Sequence, residues 1–139
     1  MTVPDRVVFD AEPLIAHADD EPGSAAVEEY LDAVAAGGAR GYLSRVNRTE
    51  VRYAIARKYD RDTADEYLGW LTALGVESVD VEETWFEASE HVLAHNPALG
   101  DAFALATADR AGATLLVGGD DDYDAVESVP IERFRDGSA

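Results

Sequence analysis

The stretch Asp101-Ala102-Phe103-Ala104-Leu105-Ala106-Thr107-Ala108 leaves this chain few ways to fold, because it reads as a helix with almost no polar face. Pro97 and Gly100 mark where the helix starts and Gly112 where it stops. The Ala, Leu and Phe between them suit close packing against a sheet. A helix apolar on nearly every side has to be enclosed. Yet this one opens on a carboxylate, Asp101, in its first turn. Stabilisation by the helix dipole or by capping is one explanation, worth about 0.3–1 kcal/mol at an exposed site. The other is that Asp101 belongs to a group of acids, and the rest of the chain decides between them.

Taken in order, Val7-Val8-Phe9 is a buried-type run of β formers that ends on Asp10. Pro13 suits the first turn of a short helix over roughly Leu14 to Ala18, broken by Asp19, Asp20 and Pro22. Ser24 is expected to cap a helix with Val27, Tyr30, Leu31 and Val34 at helical spacing, ended by Gly37-Gly38. Tyr42-Leu43 reads as a second strand. Ser44 or Asn47 then caps a helix whose Val51, Ala54, Ile55 and Tyr59 share one stripe, with Glu50 beside it. Asp62 or Thr63 begins a further helix that stops at Gly75, and Val76 to Val81 alternates as a strand. Glu83 to Ala94 is helical, with Trp85, Ala88, Val92 and Leu93 expected on its buried face. Thr114-Leu115-Leu116-Val117 is another buried-type strand, running into Gly118-Gly119-Asp120-Asp121-Asp122-Tyr123-Asp124. A last strand covers about Ile131 to Phe134, and residues 136–139 read as a disordered tail.

Strands alternating with helices predict an α/β sandwich around a mostly parallel sheet. No linker or repeat divides residues 1–135, so one domain is expected. Such sheets place functional sites at the carboxyl ends of their strands. Asp10 and Asp120 fall at two such ends, Asp101 begins the helix leading into the strand before Asp120, and Glu50 follows the second strand. Four carboxylates at one sheet edge repel unless a cation compensates them. The chain has no cysteine, so a metal there must be held by oxygen or imidazole, and clustered carboxylates suit Mg2+ or Mn2+. His91 and His95 lie four apart on one helix but lack the glutamate of a zincin motif.

The net charge of −18 excludes simple electrostatic attraction to nucleic acid or an anionic membrane. With a single lysine, Lys58, most of that excess fits a solvated surface adapted to high salt, a halophile-like composition. Against this background, seven of the eleven basic residues lie between Arg40 and Arg61, a segment net positive by five. Within it Arg45, Arg48 and Arg52 are the candidates for holding the phosphates of a polyanion beside Glu50, at a place a partner peptide could also occupy. No run of residues approaches a membrane span or a secretion signal, so a cytoplasmic location without membrane association is expected.

The order strand-Asp10, Ser44 to Glu50, Gly100-Asp101-Ala102-Phe103-Ala104-Leu105-Ala106-Thr107-Ala108, then Leu116-Val117-Gly118-Gly119-Asp120-Asp121-Asp122-Tyr123 resembles the PIN domain family. It is similar above all to the VapC-type toxins of toxin–antitoxin pairs, over nearly the whole chain. The resemblance implies a three-layer α/β/α sandwich and an Mg2+- or Mn2+-dependent ribonuclease. Asp10 and Asp101 would be the main metal ligands, Glu50 a third acid orienting metal or water, and Asp120 the fourth, with Asp122 as a substitute. It also implies an RNA substrate, an antitoxin protein and a homodimer, for which Tyr67, Leu68, Trp70 and Leu71 are the expected contact, with Trp70 partly exposed in the monomer. Two positions depart from the family pattern: Glu12 and Gly118 each stand where Ser or Thr is usual.

Two rival readings stay open at this stage. One is a catalytically weak or inactive PIN-like module that binds RNA or protein. The other is a haloacid-dehalogenase-like phosphatase, for which Asp10 would be the nucleophile and Gly119-Asp120 to Asp124 the closing motif; Glu12 departs from the second Asp that family wants.

Overall fold

The structure, a computed structural model, describes residues 2–135, so the expected tail at 136–139 lies outside the described residues. The elements are β1 (Arg6–Phe9), α1 (Ala11–Ala18), α2 (Ser24–Ala35), β2 (Arg40–Ser44), α3 (Arg45–Lys58), α4 (Arg61–Leu74), β3 (Glu77–Val79), α5 (Val81–His95), α6 (Leu99–Ala111), β4 (Thr114–Val117) and β5 (Ile131–Arg133). A 3-10 turn covers Asp121–Tyr123. The five strands form one parallel sheet in the order β3-β2-β1-β4-β5. Strand order reverses at β1 and β4, the switch point where such a sheet opens a crevice at its carboxyl edge.

Both sheet faces are covered, which is why the strands are apolar runs rather than alternating ones. Successive strand residues point to opposite faces, so Val7 and Phe9 pack with Leu14, Leu31, Val51 and Leu71 in the layer of α1 to α4. Val8 turns the other way and packs with Leu115, Val117, Ala104 and Leu105 under α6. Every residue from Asp101 to Ala108 is buried, as the sequence requires of so apolar a helix.

Local capping fixes most element boundaries and moves some of the expected ones. Asp10 caps α1 by accepting from the Ala11 amide at 2.8 Å, so this helix starts at Ala11 rather than near Leu14. Ser24 is the first helical residue of α2, not its cap; Gly23, in the left-handed region at φ +91°, takes that position. Asp60 caps α4 through the Thr63 amide, ahead of the expected Asp62 or Thr63 start. The strand expected over Val76 to Val81 shrinks to Glu77–Val79, because Asp80 and Val81 begin α5. The last strand ends at Arg133 rather than at Phe134.

The expected inner face of α5 is also corrected. Thr84, Ala88 and His91 are the residues buried there, whereas Trp85 and Leu93 are exposed. Ala88 packs there on Ala102, Ala106 and Phe103 of α6. Among the described residues no helix is long and apolar enough to cross a membrane.

Candidate active site

The carboxyl edge at the switch point holds a cleft of about 370 Å3 lined by Asp10, Glu12, Glu50, Asp101 and Asp120, with Arg135 as its one lining cation. Topology brings these residues together. Asp10 follows β1 and is pinned by its own amide, which donates to the Leu116 carbonyl of β4 at 3.0 Å. Asp101 is the third residue of α6. Asp120 sits on the turn after β4, which Arg133 holds from β5 by donating to the Gly118 and Asp120 carbonyls at 2.6 and 2.9 Å. Glu50 reaches the cleft from α3, next to Gly100, where a Cβ would lie 2.4 Å from Glu50 Oε1. Gly100 thus permits the close approach of α3 to the start of α6.

The capping explanation for Asp101 fails, since Ala98 holds the cap position and no side-chain cap bond forms there. Asp101 is 9% exposed and its Oδ2 is buried with no hydrogen-bond partner. A buried polar atom left without a partner costs about 1–3 kcal/mol. One carboxylate oxygen from each of Asp101, Asp120 and Asp122 lies within 4.8 Å of the others, a spacing that can hold a cation. Asp122 therefore joins the tight group, while Asp10 and Glu50 line the same cleft around it. Asp122 is oriented by the Ala98 amide, which donates to its Oδ2 at 2.9 Å, and Asp120 accepts from the Asp122 amide at 2.9 Å.

The electrostatics follow from burial and crowding. Desolvation pushes the Asp101 carboxyl up to about 9, with the Asp10 charge adding to it. Burial likewise raises Asp10 to about 7, opposed by the Tyr123 hydroxyl and the Ala11 amide and reinforced by Glu50 and Glu12. Asp122 is held below the ordinary carboxylate range, by the Ala98 amide first and the neighbouring Asp101 carboxyl second. The cleft holds its carboxylates at a cost that a divalent cation would relieve, so the donor set fits a hard metal ion.

Two residues that the sequence did not single out for the site organise it. Asn47 is completely buried; its amide NH2 donates to Glu50 Oε1 at 2.8 Å and to the Gly100 carbonyl at 3.0 Å, with Asp10 Oδ1 at 3.5 Å. Its own Oδ1 accepts from the Ser44 hydroxyl at 2.6 Å. Tyr123 donates its hydroxyl to Asp10 Oδ2 at 2.8 Å across 113 residues of chain. The available signals were the three-residue step from Asn47 to Glu50, one helical turn, and the lone aromatic in the Gly-Asp turn.

Glu12 and Gly118 are one feature, not two. The Glu12 carboxylate lies against the wall made by residue 118, where a Cβ would come within 1.8 Å of Oε2. It accepts from the Gly119 amide and from Arg135 Nε and Nη2, each at 3.3 Å. Arg135 also donates to Glu21 at 3.1 Å. The missing side chain at 118 is what makes room for the acid at 12.

The three arginines expected beside the acids lie elsewhere. At 100° per residue, positions 45, 48 and 52 form one stripe of α3, and 47, 50 and 54 form another on the opposite side. Arg45 pairs with Asp80 at 2.7 Å, Arg48 reaches Ser78 and Thr72, and Arg52 pairs with Asp65 at 2.8 Å. None of the three lines the acid cleft. The expected dimer patch is also depleted, because Leu68 and Leu71 are used in the core. Trp70 is 40% exposed, as anticipated, and stacks on His17 at 5.6 Å between centroids. The chain's single lysine, Lys58, pairs with Asp19 and is not part of the cleft, which leaves the phosphatase reading without the lysine that family has beside its site.

Residues 7–129 match the PIN domain family. No curated protein matches the chain in sequence. Among solved structures, VapBC2 from Rickettsia felis bound to a DNA fragment from their promoter aligns with a TM-score of 0.74 and 13% identity, over 92% of this chain and 98% of that one. A toxin–antitoxin complex from Klebsiella pneumoniae gives 0.68 and 16% identity over 88% and 94%. VapBC-5 from Mycobacterium tuberculosis gives 0.53 and 19% identity over 95% and 99%. At these identities the likeness is one of fold.

Proposed function

This chain belongs to the PIN domain family, and from that premise we propose that it is an Mg2+- or Mn2+-dependent endoribonuclease, the toxin of a toxin–antitoxin pair. The observation that carries the proposal is the buried carboxylate of Asp101, whose Oδ2 has no hydrogen-bond partner and which has an oxygen within 4.8 Å of one from each of Asp120 and Asp122. Solved structures of similar fold that are described as a toxin–antitoxin complex or as a member of a toxin–antitoxin family support the partner side of the reading.

In this reading Asp101, Asp120 and Asp122 hold the cation, with Asp10 and Glu50 completing the acid wall. The ion when bound would neutralise the scissile phosphate and lower the pKa of a water. The protein's own residues orient and receive. Asn47 fixes Glu50 through Oε1 and leaves Oε2 to accept a proton from water beside the phosphate. Tyr123 keeps Asp10 in one rotamer, ionised when a cation is present. Arg135, tied to Glu12 and Glu21, is the cation on the cleft wall nearest an incoming phosphate.

The inactive-module reading separates from this one in a single assay. Purified protein incubated with structured and unstructured RNA is expected to cut it in Mn2+ or Mg2+ and to stop in EDTA; no cleavage in either metal would support a binding module. The homodimer remains part of the proposal. Its contact moves from α4 to the exposed Val81, Trp85, Phe86 and Leu93 of α5, and a 15 kDa species in light scattering at high salt would refute it.

A further inference from the structure

Next to the acid cleft lies a second groove, of about 720 Å3, lined by Arg52, Tyr53, Ala56, Arg57, Tyr59 and Arg61 together with Asp60 and Asp62. We propose that this groove is a trough for single-stranded RNA, in which bases stack on Tyr53 and Tyr59 and phosphates meet Arg57 and Arg61 on the way into the cleft. The proposal rests on the ribonuclease reading and names the part of the substrate that the acid cleft does not touch.

Continuity comes first. Tyr53 lines both cavities, and Glu50, Tyr53 and Arg57 follow one another at the i, i+3, i+7 spacing of a single α3 face. Seven residues of helix separate Glu50 from Arg57 by about 10 Å, so the groove meets nucleotides beyond the scissile bond.

Chemistry comes second. Tyr53 and Tyr59 are 45% and 54% exposed, unusual for rings that the core would accept. The Arg57 guanidinium lies 4.8 Å from the Tyr53 ring centroid, and the Tyr59 hydroxyl is tethered to Asp19, so both rings are held in place. In this acidic chain most cations are claimed by carboxylates: Arg40, Arg45, Arg52, Lys58, Arg110, Arg133 and Arg135 all form ion pairs. Among the described residues Arg57 and Arg61 have no such partner. Of the two acids in the groove, Asp60 is committed to the Thr63 amide. Exposed rings beside unpaired guanidinium groups suit unstacked bases, whereas a duplex hides its base faces. Stacking also persists at ionic strengths that screen phosphate contacts.

The test is fluorescence anisotropy of labelled oligoribonucleotides in EDTA, where binding is read without metal or cleavage. Tyr53→Ala and Tyr59→Ala should each weaken a strand of about twelve nucleotides roughly tenfold, with affinity restored by Phe or Trp, and a hairpin stem should bind poorly. Arg57→Ala and Arg61→Ala should each lower the salt slope by about one. Circular dichroism checks that the variants fold. Single-strand affinity unchanged in folded Tyr and Arg variants would overturn the trough, as would RNA binding that is retained while binding of a partner protein is lost. Mn2+-dependent hydrolysis of bis(p-nitrophenyl) phosphate by the wild type reports the cleft alone. Its absence counts against the nuclease reading and leaves the anisotropy result to judge the trough.

Discussion

If Glu12 and Gly118 form one feature, their substitutions must not be additive. In the Gly118→Ser protein the new Cβ falls 1.8 Å from Glu12 Oε2 and 2.0 Å from its Cδ, so the carboxylate has to leave. It then loses the Gly119 amide and both contacts to Arg135. Gly118 is not among the residues at positive φ, so the backbone adds no penalty of its own. Overpacking costs about 1–3 kcal/mol. The ion pair adds at most about 1 kcal/mol, because both side chains are partly solvated and Arg135 keeps Glu21. Since Glu12 is long enough to swing toward solvent, about 2 kcal/mol is expected for the single change. Glu12→Ser alone should be near neutral, since it removes one like charge from beside Asp10 and leaves Arg135 partly satisfied. With Ser at 12, adding Ser at 118 meets no carboxylate and should cost close to nothing. Urea denaturation of the four metal-free proteins reads the coupling, expected at about 1–2 kcal/mol. Additivity within about 0.5 kcal/mol would refute the steric link.

Asn47→Ala should destabilise the protein by about 1–3 kcal/mol in urea, because it strips a donor from Glu50 and from the Gly100 carbonyl in a buried setting, and RNA cleavage should fall with it. The pH dependence has a defined sign. Asp10 and Asp101 keep their protons in the folded chain up to about 7 and about 9, whereas the unfolded chain releases them near 3.8. Their contribution to stability is therefore complete below about pH 4 and is lost as pH rises through those values. Metal-free urea midpoints should fall from pH 5 to pH 9, less steeply in Asp101→Asn, and a rise over that range would contradict the burial argument. Removing salt should lower the melting temperature, because 29 acids then repel unscreened; a constant or higher value would argue against adaptation to high salt.

How far the sequence revealed this molecule depends on what each residue was asked to say. The fold was legible because a helix like 101–108 and strands like Val7-Val8-Phe9 are apolar beyond what one covered face needs, which requires layers on both sides of a sheet. The acids were legible because strand ends and a helix start are fixed by Gly, Pro and β formers close by in the chain. Asn47 was not, because a buried amide looks like any helix cap until Gly100 and Asp10 arrive from distant parts of the chain. The Glu12–Gly118 fit was hidden for the same reason, and each position alone reads as a loss. The inner face of α5 was misread because Trp85 and Leu93 are the more apolar residues, while the face turned to α6 carries Ala88 against Ala102 and Ala106 and His91 paired with Asp109. Arg45, Arg48 and Arg52 cluster in sequence, yet helical phase turns them away from Glu50, and that much could have been computed from their spacing.

The claim on which the rest depends is that Asp101 is held in the cleft for a cation. Asp101→Asn keeps the shape and removes the charge. In metal-free protein it should be neutral or stabilising, since it removes the cost of burying an ionisable carboxyl and breaks no cap. At about a hundred times the dissociation constant, Mn2+ should stabilise the wild type by about 2.7 kcal/mol, a melting shift near 8 °C. The Asn variant is expected to lose both that shift and RNA cleavage. A variant that keeps the wild-type Mn2+ shift and cuts RNA at the wild-type rate, or a wild type that shows neither response, would contradict the account.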